Sequence, residues 1–105
     1  MKTGSHDFSG ISHGVIRVVS VGATIVPVLP TQNFRRCVII RTQSMSPVFL
    51  GGPNVSASNG FPLQSPDGKI WDEIDAPVAN AIHAICPGGT ATLYILDIFP
   101  NLGTF

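Results

Sequence analysis

Apolar and polar positions alternate with a period close to two along most of the chain, in segments bounded by Gly, Pro, Asn and Ser. Seven such segments predict strands: VIRVVSV (15–21), ATIVPVL (23–29), RCVIIRTQ (36–43), PVFLG (47–51), GKIWDEI (68–74), NAIHAIC (80–86) and TATLYILDI (90–98). Short β-branched runs at this spacing are the signature of an all-β domain, a small antiparallel β-sandwich or barrel-like fold of about seven to eight strands.

Helix signals are weak. In APVANAIHAI, Pro77 could occupy a first helical turn, but Val78, Ile82 and Ile85 form only a partial helical stripe, so the strand reading is preferred. As a strand it places Ile82, Ala84 and Cys86 on one face and Ala81, His83 and Ile85 on the other. The same alternation puts Cys37, Ile39 and Arg41 on one side of their strand and Arg36, Val38, Ile40 and Thr42 on the other. Arg17 shares a face with Val15, Val19 and Val21, the placement of a long side chain whose head reaches water or an interface.

The turn chemistry supports this reading. Pro66-Asp67-Gly68 predicts a tight reversal over 65–69, and Asn59-Gly60 and Pro87-Gly88-Gly89 are hairpin-type signals. Most of the 11 glycines and 9 prolines lie outside the periodic segments and punctuate the strands. Residues 1–14 are polar and aperiodic and read as an extended N-terminal arm, leaving 15–105 as a single β domain with a short C-terminal tail. Phe99, Leu102 and Phe105 make that tail apolar enough to need a surface to pack on, and Phe8 is the aromatic of the arm.

Composition changes the picture in one respect. The chain of 105 residues has 6 Lys plus Arg and 6 Asp plus Glu, 11% charged, with a net charge of zero. An ordinary domain carries about 25% charged residues. The balance argues against nucleic acid and an anionic membrane as partners, and against disorder. No apolar run is long enough for a membrane helix, and the N-terminus lacks the apolar stretch of a signal peptide, so synthesis in the cytoplasm is expected. A surface this poor in charge suits a protein that packs inside an assembly.

Candidate chemistry is sparse. Cys37 and Cys86 read as buried thiols, with neither zinc spacing nor a histidine at a nucleophile-base offset. His6, Asp7 and His13 sit on an aperiodic segment that fixes no metal geometry, and His83 reads as a partly buried side chain. The acidic cluster WDEID contains paired carboxylates, but the simpler reading is a solvated strand edge protected from aggregation. No nucleophile elbow or phosphate loop is present, so neither an enzyme, a cofactor nor a metal is expected. Trp71 reads as a core or interface anchor, with a sugar-stacking platform as the alternative. A buried ring would fit the first reading and an exposed ring the second.

The order of these pieces resembles a recurrent type of small tailed-bacteriophage virion protein. VLPTQNFRRCVIIRTQSMSP, then VFLGGPNVSASNGFPLQSPDG, and later AICPGGTATLYILD carry the resemblance. Its parts are a Pro-rich turn with Asn and Arg (30–36), an apolar strand (37–41), a V-x-L-G-G segment (48–52), an Asn-Gly-Phe-Pro-Leu loop (59–63) and a G-T-A-T strand (89–97). The resemblance spans 23–97 and implies a capsid decoration or cement protein, or a head-fibre or tail component, with no catalytic residues. It implies the major capsid protein or other virion proteins as partners, together with further copies of the chain, and a final location in the virion. Candidate interface residues are Arg17, Arg35, Arg36, Arg41, Phe8, Trp71, Phe99, Leu102 and Phe105. The alternative function is a carbohydrate- or receptor-binding β module of a fibre or tail.

Overall fold

A computed structural model describes residues 13–31, 37–76 and 80–99. Among them there is no helix, and eight strands form two antiparallel sheets. The strands are β1 (His13–Val21), β2 (Val26–Leu29), β3 (Cys37–Thr42), β4 (Val48–Gly51), β5 (Phe61–Leu63), β6 (Asp72–Ala76), β7 (Ile82–Ile85) and β8 (Ala91–Phe99). One sheet has the order β1-β8-β3-β6 and the other β2-β7-β4-β5.

This order has a simple origin. β1 pairs with β8, β2 with β7, β3 with β6 and β4 with β5, so the chain is one long antiparallel ribbon folded back at the β4–β5 hairpin. Rolling that ribbon up adds the β3–β8 and β4–β7 pairings and closes two four-stranded sheets. The result is the eight-stranded jelly-roll form of the β-sandwich. Among the described strands, only β4 and β5 are successive in the chain and paired in one sheet; every other connection crosses between sheets.

Strand alternation supplies the core. Val38, Ile40, Ala91, Leu93 and Ile95 of the first sheet meet Val28, Leu29, Val48, Leu50, Leu63 and Ala84 of the second in a single cluster. Each large aliphatic side chain buried this way contributes about 1.5–3 kcal/mol. The strand reading of 80–86 holds: Ala84 and Cys86 are buried and Ile82 packs against the core. Cys37, expected to be buried, is only half-buried, because its register places it on the outer side of β3.

Several boundaries differ from expectation. The additional strand is β5, only three residues long and interrupted by Pro62, too brief to show a period. The expected strand at 68–74 begins instead at Asp72, because the Asp67 carboxylate accepts hydrogen bonds from the amides of Lys69 (2.9 Å) and Ile70 (3.1 Å). The reversal over 65–69 forms as expected; Ser65 Oγ accepts from the Gly68 amide at 2.9 Å, and Gly68 has φ +74°. The expected strand at 23–29 starts at Val26, since the preceding residues pass between sheets and the Cys86 amide donates to the Gly22 carbonyl at 2.7 Å. β1 begins at His13, two residues inside the expected arm; residues 1–12 lie outside the described residues.

Two glycine-containing turns also take unexpected forms. Asn59-Gly60 closes the β4–β5 connection, but Gly60 does not have positive φ, so it is not a two-residue hairpin turn. Gly60 serves close packing: a Cβ there would meet Phe49 Cβ at 2.6 Å and Val55 Cγ2 at 2.8 Å. Pro87-Gly88-Gly89 forms a turn, with the Gly89 amide donating to the Cys86 carbonyl at 3.3 Å, but it joins strands of different sheets.

Candidate functional site

Of the exposed large apolar side chains among the described residues, Ile16, Val18, Trp71 and Tyr94 gather on the outer face of the first sheet. Antiparallel pairing aligns side chains in rows across the strands. One outer row runs Val18, Tyr94, Arg41 and Glu73, each opposite the next. The adjacent outer row runs Ile16, Leu96 and Ile39 and ends at the register position of Asp75. Ile16 and Val18 are 69% and 61% exposed, and Tyr94 is 42% exposed.

Trp71, immediately before β6, joins this face. The Arg41 guanidinium lies over its ring, 4.2 Å from the centroid, and Tyr94 meets it edge-on with the centroids 5.5 Å apart. Arg41 Nε is 3.6 Å from Glu73 Oε1, an exposed ion pair of the kind contributing about 0–1 kcal/mol. The ensemble is an aromatic pair with a guanidinium over the Trp71 ring, flanked by four exposed or half-buried aliphatic residues, Ile16, Val18, Ile39 and Leu96. A shallow hollow of about 470 Å³ bounded by Ile16, Ile39, Arg41, Glu73, Tyr94 and Leu96 lies within it. Arg, Trp and Tyr flanked by aliphatic side chains are the composition of interface anchors.

Two of the residues singled out from sequence, Arg41 and Trp71, are therefore brought together. Arg17 belongs to the same sheet but faces inward, opposite the buried Ile95. Phe99 ends β8 in register with His13. Phe8, Arg35, Arg36, Leu102 and Phe105 lie outside the described residues. Ile16, Val18, Tyr94, Ile39 and Leu96 were not singled out. Their signal was the alternation itself: each is the out-of-phase neighbour of a core residue in TATLYILDI, VIRVVSV or RCVIIRTQ.

Two other hollows differ in character. One of about 520 Å³ is lined by Ser20, Ser44, Ser46, Thr90 and Thr92 beside Tyr94. Much of this polar lining is engaged in holding the loop: Ser44 Oγ donates to the Ser46 carbonyl at 2.9 Å, and Ser44 N donates to Thr42 Oγ1 at 3.1 Å. The other, about 560 Å³, lies between β1 and β2, with Arg17 and His83 among mainly apolar walls. Among the described residues no group of three or more His, Cys, Asp or Glu is placed to hold a metal ion. No helix there is long and apolar enough to cross a membrane.

Compared with known proteins, the chain matches no family model, no curated protein and no solved structure.

Proposed function

We propose that the chain is a structural protein of a bacteriophage virion, a capsid decoration or cement protein that docks through the outer face of the β1-β8-β3-β6 sheet. The observation that carries this reading is the pair of cross-strand rows, which place Ile16, Val18, Tyr94, Arg41 and Trp71 on one exposed sheet face. A sheet with both faces apolar normally has both faces covered. The core covers the inner one, and a virion neighbour would cover the outer. The low charge fits a surface that spends its working life as interface. The phage-like segments fall on scaffold: β3, the β4–β5 hairpin and the entry to β8. They support a shared architecture, while the docking face itself comes from the alternate positions.

The test is co-sedimentation with empty capsids of the phage that encodes the chain. Wild-type protein is expected in the pellet, and Trp71→Ala and Val18→Lys in the supernatant with unchanged circular dichroism. A wild-type protein that stays in the supernatant, or variants that pellet equally well, would overturn the reading.

One observation favours a carbohydrate- or receptor-binding module instead: Trp71 is 38% exposed and has carboxylates beside it in sequence. The Arg41 guanidinium covers one face of the ring, so a sugar would stack on the opposite face. Glycan-array binding lost in Trp71→Ala would support this module, and a blank array would remove it.

A further inference from the structure

The two sheets have four edge strands, β1 and β6 on one, β2 and β5 on the other. Three carry the devices that prevent edge-to-edge pairing. β2 has Pro27 and a register irregularity between Pro27 and Leu29. β5 is three residues long and contains Pro62. β6 carries Asp72, Glu73 and Asp75. β1 differs: its one such device is the inward-facing Arg17. It runs nine residues in unbroken register with β8, without proline or carboxylate, and its outer side chains Ile16 and Val18 are the two most exposed large apolar groups described.

The inner side of that edge is also incomplete. Arg17 ends the core-facing row Arg17, Ile95, Ile40, Ile74. Its Nε is buried and has no hydrogen-bond partner, as does Nδ1 of His83. Both residues line the hollow between β1 and β2, whose wall has no acidic side chain among the described residues. Asp97, diagonal to Arg17 across the β1–β8 ladder, has an interaction of its own and does not line that hollow. An orphaned buried donor is unfavourable, the more so when charged, so the site calls for an anionic acceptor beside the β1 edge.

We infer that the acceptor is the β6 edge of a second copy, added antiparallel to β1 so that the sheets of neighbouring protomers run on as one. The strand directions allow it. Within the sheet, neighbours alternate in direction, so β1 and β6 are antiparallel to each other, and a copy placed in the same orientation brings its β6 against β1 in the antiparallel sense. The register that places Asp72 opposite Arg17 pairs Glu73 with Ile16, Ile74 with Val15 and Asp75 with Gly14. It also sets the exposed Trp71 and Ile70 opposite Val18 and Val19. A basic edge without carboxylates thus receives an acidic one. The acids that keep two β6 edges apart select β1 as the partner. Such a contact is heterologous, so successive copies build a ring or a head-to-tail filament. This inference names the copy-to-copy contact; docking on a capsid through the outer face stands or falls separately.

The test uses two surface cysteine variants of the full chain, Ile16→Cys and Glu73→Cys, oxidised alone and mixed, with wild type as the background for Cys37 and Cys86. Facing positions in an antiparallel ladder lie close enough for a disulfide. The mixture is expected to give a cross-linked dimer that neither variant gives alone, and sedimentation velocity is expected to show concentration-dependent association weakened about tenfold or more by Arg17→Gln. A strictly monomeric wild type, or cross-linking of Ile16→Cys with itself, which would report β1 pairing with β1, overturns the proposal. Equal cross-linking in all samples overturns it as well. Failure of capsid co-sedimentation with the β1–β6 cross-link intact would instead count only against the docking reading.

Discussion

The guanidinium of Arg41 lies over the ring of Trp71 at 4.2 Å from its centroid, although the two residues are thirty positions apart in the chain. The β3–β6 ladder makes the contact: Arg41 faces Glu73, and Trp71 stands two residues earlier on the same outer side. A cation–π contact at a site this exposed contributes about 0.5–1 kcal/mol, and the edge-on Tyr94 contact about as much again. Arg41→Gln should therefore lower unfolding free energy by about 1 kcal/mol in urea titrations, and the proposed capsid docking predicts that it also abolishes co-sedimentation. A variant that binds as wild type would show that the stacked pair is only a surface brace.

Gly60 and Gly52 flank the same β4–β5 connection and should respond oppositely to alanine. A Cβ at Gly60 would also meet the Ser56 carbonyl at 2.9 Å, and backbone cannot move aside cheaply. At Gly52 nothing lies within 4 Å, and its φ is not positive. Gly60→Ala should cost about 1–3 kcal/mol through overpacking, and Gly52→Ala should stay within about 0.5 kcal/mol of wild type. Urea unfolding of the two variants provides the comparison.

Asp67 gives the fold a defined response to acid. The Lys69 and Ile70 amides, which donate to its carboxylate, hold its pKa below the ordinary 3.8. A carboxyl whose folded pKa is depressed contributes stability that is complete above its unfolded value and is lost as pH falls through the lower folded value. Stability should thus fall with pH below about 4, and part of that fall should disappear in Asp67→Asn. The thermal midpoint measured from neutral pH down to acid, for both proteins, reads the difference.

Strand positions and faces were largely legible because alternation is a local property. Val38, Ile40 and Thr42 face inward and Ile39 and Arg41 outward, as the period requires. What local pattern could not supply was which strands pair. Nothing in TATLYILDI states that Tyr94 will lie between Val18 and Arg41, a relation created by rolling the ribbon up. For that reason Arg41 and Trp71 were identifiable singly, Tyr94 was overlooked, and Arg17, with the same texture around it, proved to face the opposite side. The limits of 68–74 failed for a different reason: the Asp67 side chain captures two amides that a strand would otherwise have used.

The two thiols should differ sharply in reactivity. Cys86 is fully buried, and burial pushes its thiol pKa up, only partly offset by the Gly89 amide. Cys37 lies half-buried on the outer side of β3. Because the thiolate is the reacting species, an aromatic disulfide reagent at mildly alkaline pH should modify Cys37 first, and Cys86 only as fast as the protein opens. Mass spectrometry of the partly modified protein reads the order, and equal rates would contradict the burial of Cys86.

Thr42 is a fully buried polar side chain at the point where β3 leaves its sheet. Its hydroxyl donates to the Thr92 carbonyl at 2.9 Å and accepts from the Ser44 amide at 3.1 Å, tying the end of β3 both to β8 and to the loop that crosses to the other sheet. Thr42→Val keeps the shape but leaves that carbonyl and that amide without their partner, at about 1–3 kcal/mol for each group that water cannot reach. Thr42→Ser keeps both bonds and loses one methyl, about 1 kcal/mol. Serine should therefore be the milder substitution although it is the smaller, and hydrogen exchange at the Ser44 amide should accelerate in the valine variant alone. If valine were the milder change, packing rather than hydrogen bonding would hold this corner together.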